Sequence, residues 1–99
     1  MKHSRILVDE GSRPYFPKGV RMHHDTVRDR LAVLGPERVY WPDTVSADIL
    51  RFCDGRLSIR AISTQLAAEY AAPLETIEAD VLEFVQSWTD LHLLTLKLG

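Results

Sequence analysis

The side chains that could perform catalysis or bind metal are few in this 99-residue chain, and they are poorly spaced for joint chemistry. The histidines are His3, His23, His24 and His92. His23 and His24 are adjacent within a predicted strand, so their side chains point to opposite faces and cannot hold one ion together. Zinc sites combine closely spaced Cys and His, and Cys53 has no histidine within helical reach. We expect the histidines to be surface or half-buried strand residues rather than metal ligands.

Cys53 is the one thiol, and it follows Phe52 late in a predicted helix. A nucleophilic cysteine needs a base and an electropositive setting. Arg51 and Arg56 are close in sequence, but the position favours a small buried hydrophobe.

The acidic residues and glycines likewise indicate no reaction chemistry. Asp80 and Glu83 are neighbours on a predicted helix, where a solvated face accounts for them as well as for Glu78. The five glycines are scattered, so none builds a phosphate-binding loop. The sequence therefore predicts a protein that is not an enzyme and has no cofactor.

Composition indicates one globular domain, with 45% hydrophobic and 26% charged residues. No apolar run approaches the roughly 18 residues that cross a bilayer. The basic N-terminus is followed by the apolar run 6–8, which is too short for a signal peptide. A single cysteine agrees with a reducing compartment. We expect a cytoplasmic protein with no membrane partner.

Residues 1–18 show no sustained period, and Pro14 and Pro17 remove two backbone donors. They are predicted to be an extended N-terminal arm, with 19–95 as the folded domain. A free tail is the favoured interpretation, and exchange of arms between protomers to form a homodimer is the alternative.

Residues 19–42 alternate with the period of strands. The expected faces are Val20, Met22 and His24 in a first strand, Leu31 and Val33 in a second, and a third strand over Arg38–Trp41. Gly35–Glu37 is a turn signal, and Pro42 ends the third strand because proline cannot donate to a ladder. The first and third strands would be edges. Within the third, Val39 and Trp41 are expected to face the core, with Arg38 and Tyr40 outside.

The hydrophobic period changes to about 3.6 at Asp43 and predicts helices over 43–53, 58–70 and 75–91. Asp43 or Thr44 can cap the first helix and Ser58 the second. Residues 93–98 form an apolar tail, either a last turn or a short strand. The predicted fold is α+β: a three-stranded antiparallel sheet followed by three helices, similar to a winged helix-turn-helix.

The charges disfavour the DNA binding that such a fold first suggests. Residues 1–60 hold eleven of the twelve Lys and Arg against eight acids, a net +3, whereas residues 61–99 carry a net −5. A recognition helix needs basic and amide side chains. The third helix instead carries acids and no Lys or Arg, so no nucleic acid partner is expected.

An exposed edge strand is the other binding surface of such a fold. It presents unpaired N–H and C=O groups, which an extended peptide can satisfy as an added strand. The third strand has two aromatic residues and no lysine. It is therefore the candidate edge, although a core position is favoured for Trp41 itself.

Several motifs taken together resemble one family. They are residues 19–25 (GVRMHHD), 34–37 (LGPE), 47–55 (ADILRFCDG), 62–67 (ISTQLA) and 80–85 (DVLEFV). As a set, covering about residues 15–95, they are similar to PqqD, protein D of pyrroloquinoline quinone (PQQ) biosynthesis.

This resemblance implies a non-catalytic domain that binds a ribosomally made precursor peptide as an added strand. It also implies delivery of that peptide to a radical S-adenosylmethionine enzyme, which joins a Glu to a Tyr of the peptide. The implied groove is lined by Arg38, Val39, Tyr40 and Trp41 on one side and by Asp80, Glu83, Phe84 and Ser87 on the other. A winged-helix DNA-binding or protein-interaction module is the alternative function.

Overall fold

A computed structural model describes residues 5–97, so His3 and Leu98 lie outside the described range. The strands are β1 (Arg13–Tyr15), β2 (Arg21–Asp25), β3 (Arg30–Leu34), β4 (Val39–Tyr40) and β5 (Thr95–Lys97). The helices are α1 (Thr44–Leu50), α2 (Ile59–Tyr70) and α3 (Leu74–Asp90). The α+β class is confirmed, and the comparison with a winged helix-turn-helix stays an interpretation.

The three-stranded antiparallel sheet has the order β2-β3-β4, which confirms the predicted meander and its two edges. Its register places His23 opposite Ala32 and His24 opposite Leu31. The two histidines therefore point to opposite faces, as their adjacency predicts.

The first two helices begin at the predicted caps. The Asp43 carboxylate accepts the N–H of Ser46 at 2.8 Å, and the Ser58 hydroxyl accepts that of Ala61 at 3.1 Å. However, α1 is shorter than the expected 43–53. After Leu50 the chain tightens into turns, and Gly55 has a φ of 83°, in the left-handed region that glycine enters most easily.

The N-terminal arm differs from the expected free tail. Its residues 13–15 form β1, which pairs antiparallel with β5 in a separate two-stranded sheet. The carbonyls of Glu10 and Ser12 accept the N–H groups of Arg60 and Ile59, at 2.9 and 2.8 Å, where α2 begins. The arm thus supplies acceptors that the first turn of a helix lacks. Pairing with β1 also resolves the apolar tail as a short strand.

One apolar core joins these parts. It contains Val20 and Val33 from the sheet region, Ile49, Leu50 and Cys53 at α1, Ile59, Ile62 and Leu66 from α2, Val81 and Val85 from α3, and Leu93 and Leu94. Across the surface of this core, the Arg60 guanidinium pairs with the Glu78 carboxylate at 3.0 Å and links α2 to α3. None of the helices within residues 5–97 is both long and apolar enough to cross a membrane.

Candidate functional site

The side chains of β4 and of Trp41 point to the opposite faces of the sheet from those expected from the sequence. Tyr40 packs against the hydrophobic core, whereas Val39 is 51% exposed and Trp41 is 38% exposed. The prediction that Val39 and Trp41 point inward is therefore wrong. The register explains this, because Tyr40 lies opposite Val33, which is fully buried, and directly paired residues share a face.

A chain of aromatic rings joins β4 to α3. The ring centroids of Tyr40 and Trp88 are 5.9 Å apart, and those of Trp88 and Phe84 are 5.1 Å apart. Both separations lie in the range of favourable aromatic pairs. The three rings form the floor between the edge strand and the helix, and Phe84 is the one predicted helix residue that belongs to this floor.

The backbone of Val39 forms the free edge of β4. The N–H of Gly35 donates to the carbonyl of Arg38 at 2.9 Å, so these two residues are a hydrogen-bonded pair. Hydrogen-bonded and non-hydrogen-bonded pairs alternate along an antiparallel ladder. The next bonded pair is therefore Val33 with Tyr40, and the N–H and C=O of Val39 point away from β3. No strand covers them within residues 5–97.

The predicted helix residues are spread over an arc of α3. At 100° per residue, Asp80, Phe84 and Ser87 share a face, and Glu83 lies farther around the helix. Asp80, Glu83 and Ser87 are exposed, whereas Phe84 is half-buried. The structure thus brings three of the four to the side of α3 that carries Phe84, with Glu83 at its rim.

The far flank of α3 is occupied by the arm. The Gln86 side-chain amide accepts the N–H of Val8 at 2.9 Å and donates to the carbonyl of Ile6 at 2.8 Å. Arg5 also pairs with the Asp90 carboxylate at 2.7 Å. The arm and β4 therefore lie on opposite flanks of α3, which leaves the Phe84 side open.

A shallow cleft of about 320 Å³ extends the aromatic floor toward the end of α3. Its lining residues are Gly35, Pro36, Glu37, Arg38, Tyr40, Leu91, His92 and Leu93. The Arg38 guanidinium lies 5.6 Å from the centre of the Tyr40 ring, within cation–π range. The hairpin end of the groove thus carries Arg38 beside Glu37, and the helix side carries Asp80.

The sequence interpretation did not include Trp88, Leu91 and His92 in the groove, although Trp88 belongs to the aromatic floor and Leu91 and His92 line the cleft. Trp88 and Leu91 lie on the apolar stripe of α3, and the structure leaves Trp88 half-buried and Leu91 57% exposed. The available signal was the aromatic pair Phe84 and Trp88 at a spacing of i, i+4, because two large rings at this spacing lie next to each other on one face of a helix.

Within residues 5–97, no three His, Cys, Asp or Glu side chains are grouped to hold a metal ion. Cys53 is 3% exposed, and its thiol lies 3.4 Å from the carbonyl of Ile49. Burial, with a smaller contribution from the Asp54 charge, raises the pKa of Cys53 to about 12. The interpretation of Cys53 as a buried hydrophobe is confirmed.

We expect Cys53 to resist alkylation in the folded protein. With a pKa of about 12, the thiolate fraction at pH 8 is on the order of 10⁻⁴. Intact-protein mass spectrometry after iodoacetamide treatment should show no adduct under native conditions and one adduct in urea. Rapid native labelling would contradict both the burial and the raised pKa.

Comparison with known proteins places this geometry in a family. The model of the PqqD family, coenzyme PQQ synthesis protein D, matches residues 30–94. The chain is 41% identical over 90 residues to a protein of Bradyrhizobium diazoefficiens named PqqA binding protein, covering 91% of this chain and 87% of that one. A protein of the same name from Gluconobacter oxydans is 39% identical over 94 residues, covering 95% of this chain and 98% of the relative.

Two solved structures share the fold. The solution structure of the PqqD truncation of Methylobacterium extorquens PqqCD, described as a stand-alone recognition element for ribosomally synthesized and post-translationally modified peptides, has a TM-score of 0.77 and 30% identity, covering 90% of this chain and 95% of that one. The crystal structure of PqqD from Xanthomonas campestris has a TM-score of 0.56 and 35% identity, covering 93% and 100%. The family match, the identities and the shared fold agree, and this chain belongs to the PqqD family.

Proposed function

We propose that this chain is a non-catalytic peptide chaperone of PQQ biosynthesis in the cytoplasm. It binds the ribosomally made precursor peptide as an added strand on β4 and presents it to the radical S-adenosylmethionine enzyme of the pathway. Relatives named PqqA binding protein and a structural neighbour described as a peptide recognition element support the peptide-binding role.

The observation that carries this proposal is the outward-pointing N–H and C=O of Val39 beside the aromatic floor. Main-chain hydrogen bonds supply part of the affinity in strand addition, and side-chain pockets supply specificity. Strand β4 has only two residues, so its edge offers few backbone bonds. The groove formed by Tyr40, Trp88 and Phe84 must therefore contribute much of the affinity through apolar contact.

The groove charges suggest how the peptide lies. Arg38 is exposed at the hairpin end, and Asp80 and Glu83 are exposed along α3. A peptide with acidic side chains near Arg38 would be attracted there and repelled along the helix. The proposed peptide contacts are those implied by the family resemblance, together with Trp88 and Leu91. The implied contacts are Arg38, Val39, Tyr40, Trp41, Asp80, Glu83, Phe84 and Ser87.

The chain's own reactive groups support a role without catalysis. Cys53 is buried, and His23 and His24 face opposite sides of the sheet. The hydrogen bonds between the arm and the chain's own α2 and α3 favour a monomer, and a homodimer through arm exchange is the alternative.

An NMR titration of the full-length protein with the precursor peptide tests this proposal. We expect the largest amide shifts at residues 38–41 and 80–92, because both walls of the groove would contact the added strand. Saturable shifts confined to β1, β5 and the arm would place the peptide elsewhere, and an absence of shifts at millimolar peptide would reject peptide binding.

A further inference from the structure

The face of the three-stranded sheet opposite Tyr40 does not form part of the aromatic floor of the groove. The register pairs Arg21 with Leu34 and Leu34 with Val39, so these residues share that face. Alternation adds His23, Arg30 and Trp41. We call this surface the outer sheet face, defined by Arg21, His23, Arg30, Val39 and Trp41.

Two arginines are held against the ring of Trp41. The guanidinium of Arg28 lies 5.2 Å from the ring centre, and that of Arg30 lies 5.5 Å from it. Such stacking is a cation–π interaction, and it leaves the edge of the Arg30 guanidinium free to donate hydrogen bonds, whereas the Arg28 guanidinium donates to the Asp25 carboxylate. The arginines are thereby ordered before any partner arrives, which lowers the entropy lost on binding.

The outer sheet face carries an excess of positive charge. Asp25 also lies on it, but its carboxylate accepts the N–H groups of Val27 and Arg28 and pairs with the Arg28 guanidinium at 2.9 Å. Within residues 5–97, no carboxylate pairs with Arg21 or Arg30. These two cations therefore lack an acidic partner within the described fold.

The same surface carries exposed apolar area. Val39 is 51% exposed and Trp41 is 38% exposed, and both adjoin the arginines. Tryptophan and arginine are the residue types most enriched at the energetic centres of protein interfaces. A cationic rim around an exposed tryptophan fits a protein surface that presents carboxylates around an apolar patch.

We infer that the outer sheet face docks an acidic surface of the partner radical S-adenosylmethionine enzyme, an inference that rests on the proposed function. Charge complementarity selects this face, because the exposed surface of α3 carries acids and no Lys or Arg. A peptide strand would lie about 4.8 Å beyond β4. Its outward side chains would then continue the outer sheet face and meet the docked enzyme directly.

Nucleic acid is the competing polyanion, and the charge distribution disfavours it. The cations of the outer sheet face, Arg21, Arg28 and Arg30, lie in the β2–β3 hairpin, whereas α3 has acids and no Lys or Arg. A duplex contacting both elements would meet repulsion at the helix.

The test is calorimetric titration of the full-length protein, without peptide, into the radical S-adenosylmethionine enzyme of the PQQ pathway from the same organism. For the double variant Arg21→Glu/Arg30→Glu we expect at least about a tenfold loss of affinity, since each reversal repels an acidic partner. Wild-type affinity should fall as salt rises from about 50 to about 200 mM, as expected for exposed charges. Affinity for the precursor peptide, measured separately, should stay within about twofold.

The matched control is Arg56→Glu, an exposed charge reversal in the loop after α1 that should leave both affinities unchanged. Circular dichroism checks folding, and Arg21→Gln/Arg30→Gln replaces the double variant if the reversals unfold it. Enzyme affinity that is unchanged in the double variant, or equally reduced in the control, would overturn the inference. So would duplex DNA binding by the wild type that the double variant loses. Failure of the wild type to bind peptide would instead reject the proposed function, because enzyme binding is measured without peptide.

Discussion

Val39→Pro is expected to lower the affinity for the precursor peptide about 5- to 100-fold. The substitution removes an N–H that points away from β3, so an acceptor on the added strand would lose its partner. An unsatisfied group at a buried contact costs about 1–3 kcal/mol, and 1.4 kcal/mol corresponds to tenfold in affinity. The fold should tolerate the change, because proline is accepted on an edge where the lost N–H faces outward. Isothermal titration with the peptide measures the loss.

Two matched variants separate the backbone effect from the side-chain effect. Val39→Ala removes the same side chain but keeps the N–H, so it should lose much less affinity. Tyr40→Pro removes an N–H that serves the β3–β4 ladder, so it should lower the free energy of unfolding rather than act on the peptide alone. Equal peptide affinities for the proline and alanine variants at Val39 would show that β4 does not bind the peptide by strand addition.

Deleting residues 1–16 is expected to lower the free energy of unfolding by more than about 3 kcal/mol. The deletion removes the carbonyls of Glu10, Ser12 and Pro14, which accept the N–H groups of Arg60, Ile59 and Gly55. Each such bond contributes about 0.5–1.5 kcal/mol net. It also removes the buried Pro14 and the half-buried Phe16 and exposes the apolar surface beneath them.

Urea unfolding followed by circular dichroism measures this loss, with deletion of residues 1–7 as the comparison. The shorter deletion removes exposed contacts such as the ion pair between Arg5 and Asp90, which contribute about 0–1 kcal/mol. The difference in unfolding free energy between the two deletion variants measures the contribution of residues 8–16. These residues form β1 and supply carbonyl acceptors to the first turn of α2. Similar midpoints for both deletions would mean that β1 is dispensable and that the arm behaves as a tail.

The local features of the fold could be predicted because their causes lie within a few residues of each other. Asp43 and Ser58 bond to N–H groups three residues ahead, so their capping roles are visible in the sequence. The Gly35–Glu37 turn and Pro42 bound the edge strand for equally local reasons. The burial of Cys53 followed from its apolar neighbours and the lack of a nearby base.

The sequence could not predict which side chains of β4 point toward the core. A strand of two residues is too short to show an alternating pattern of apolar and polar residues. Val39, Tyr40 and Trp41 are all suited to a core, and only pairing with the buried Val33 decides which one points inward. Because Tyr40 points inward, Trp41 lies on the outer sheet face and not in the expected core, and Arg28 and Arg30 stack on its ring.

By itself, the sequence determined the α+β class, the three helices, the edge strand and the absence of local catalytic patterns, because each depends on short-range periodicity, capping or spacing. The tertiary structure decided what depends on partners far apart in the chain. Residues 13–15 form a strand only because residues 95–97 complete it. Likewise, the groove exists only because Tyr40 meets Trp88 across the fold. No local pattern encodes such contacts, since their free energy appears only when both partners are brought together by the common core.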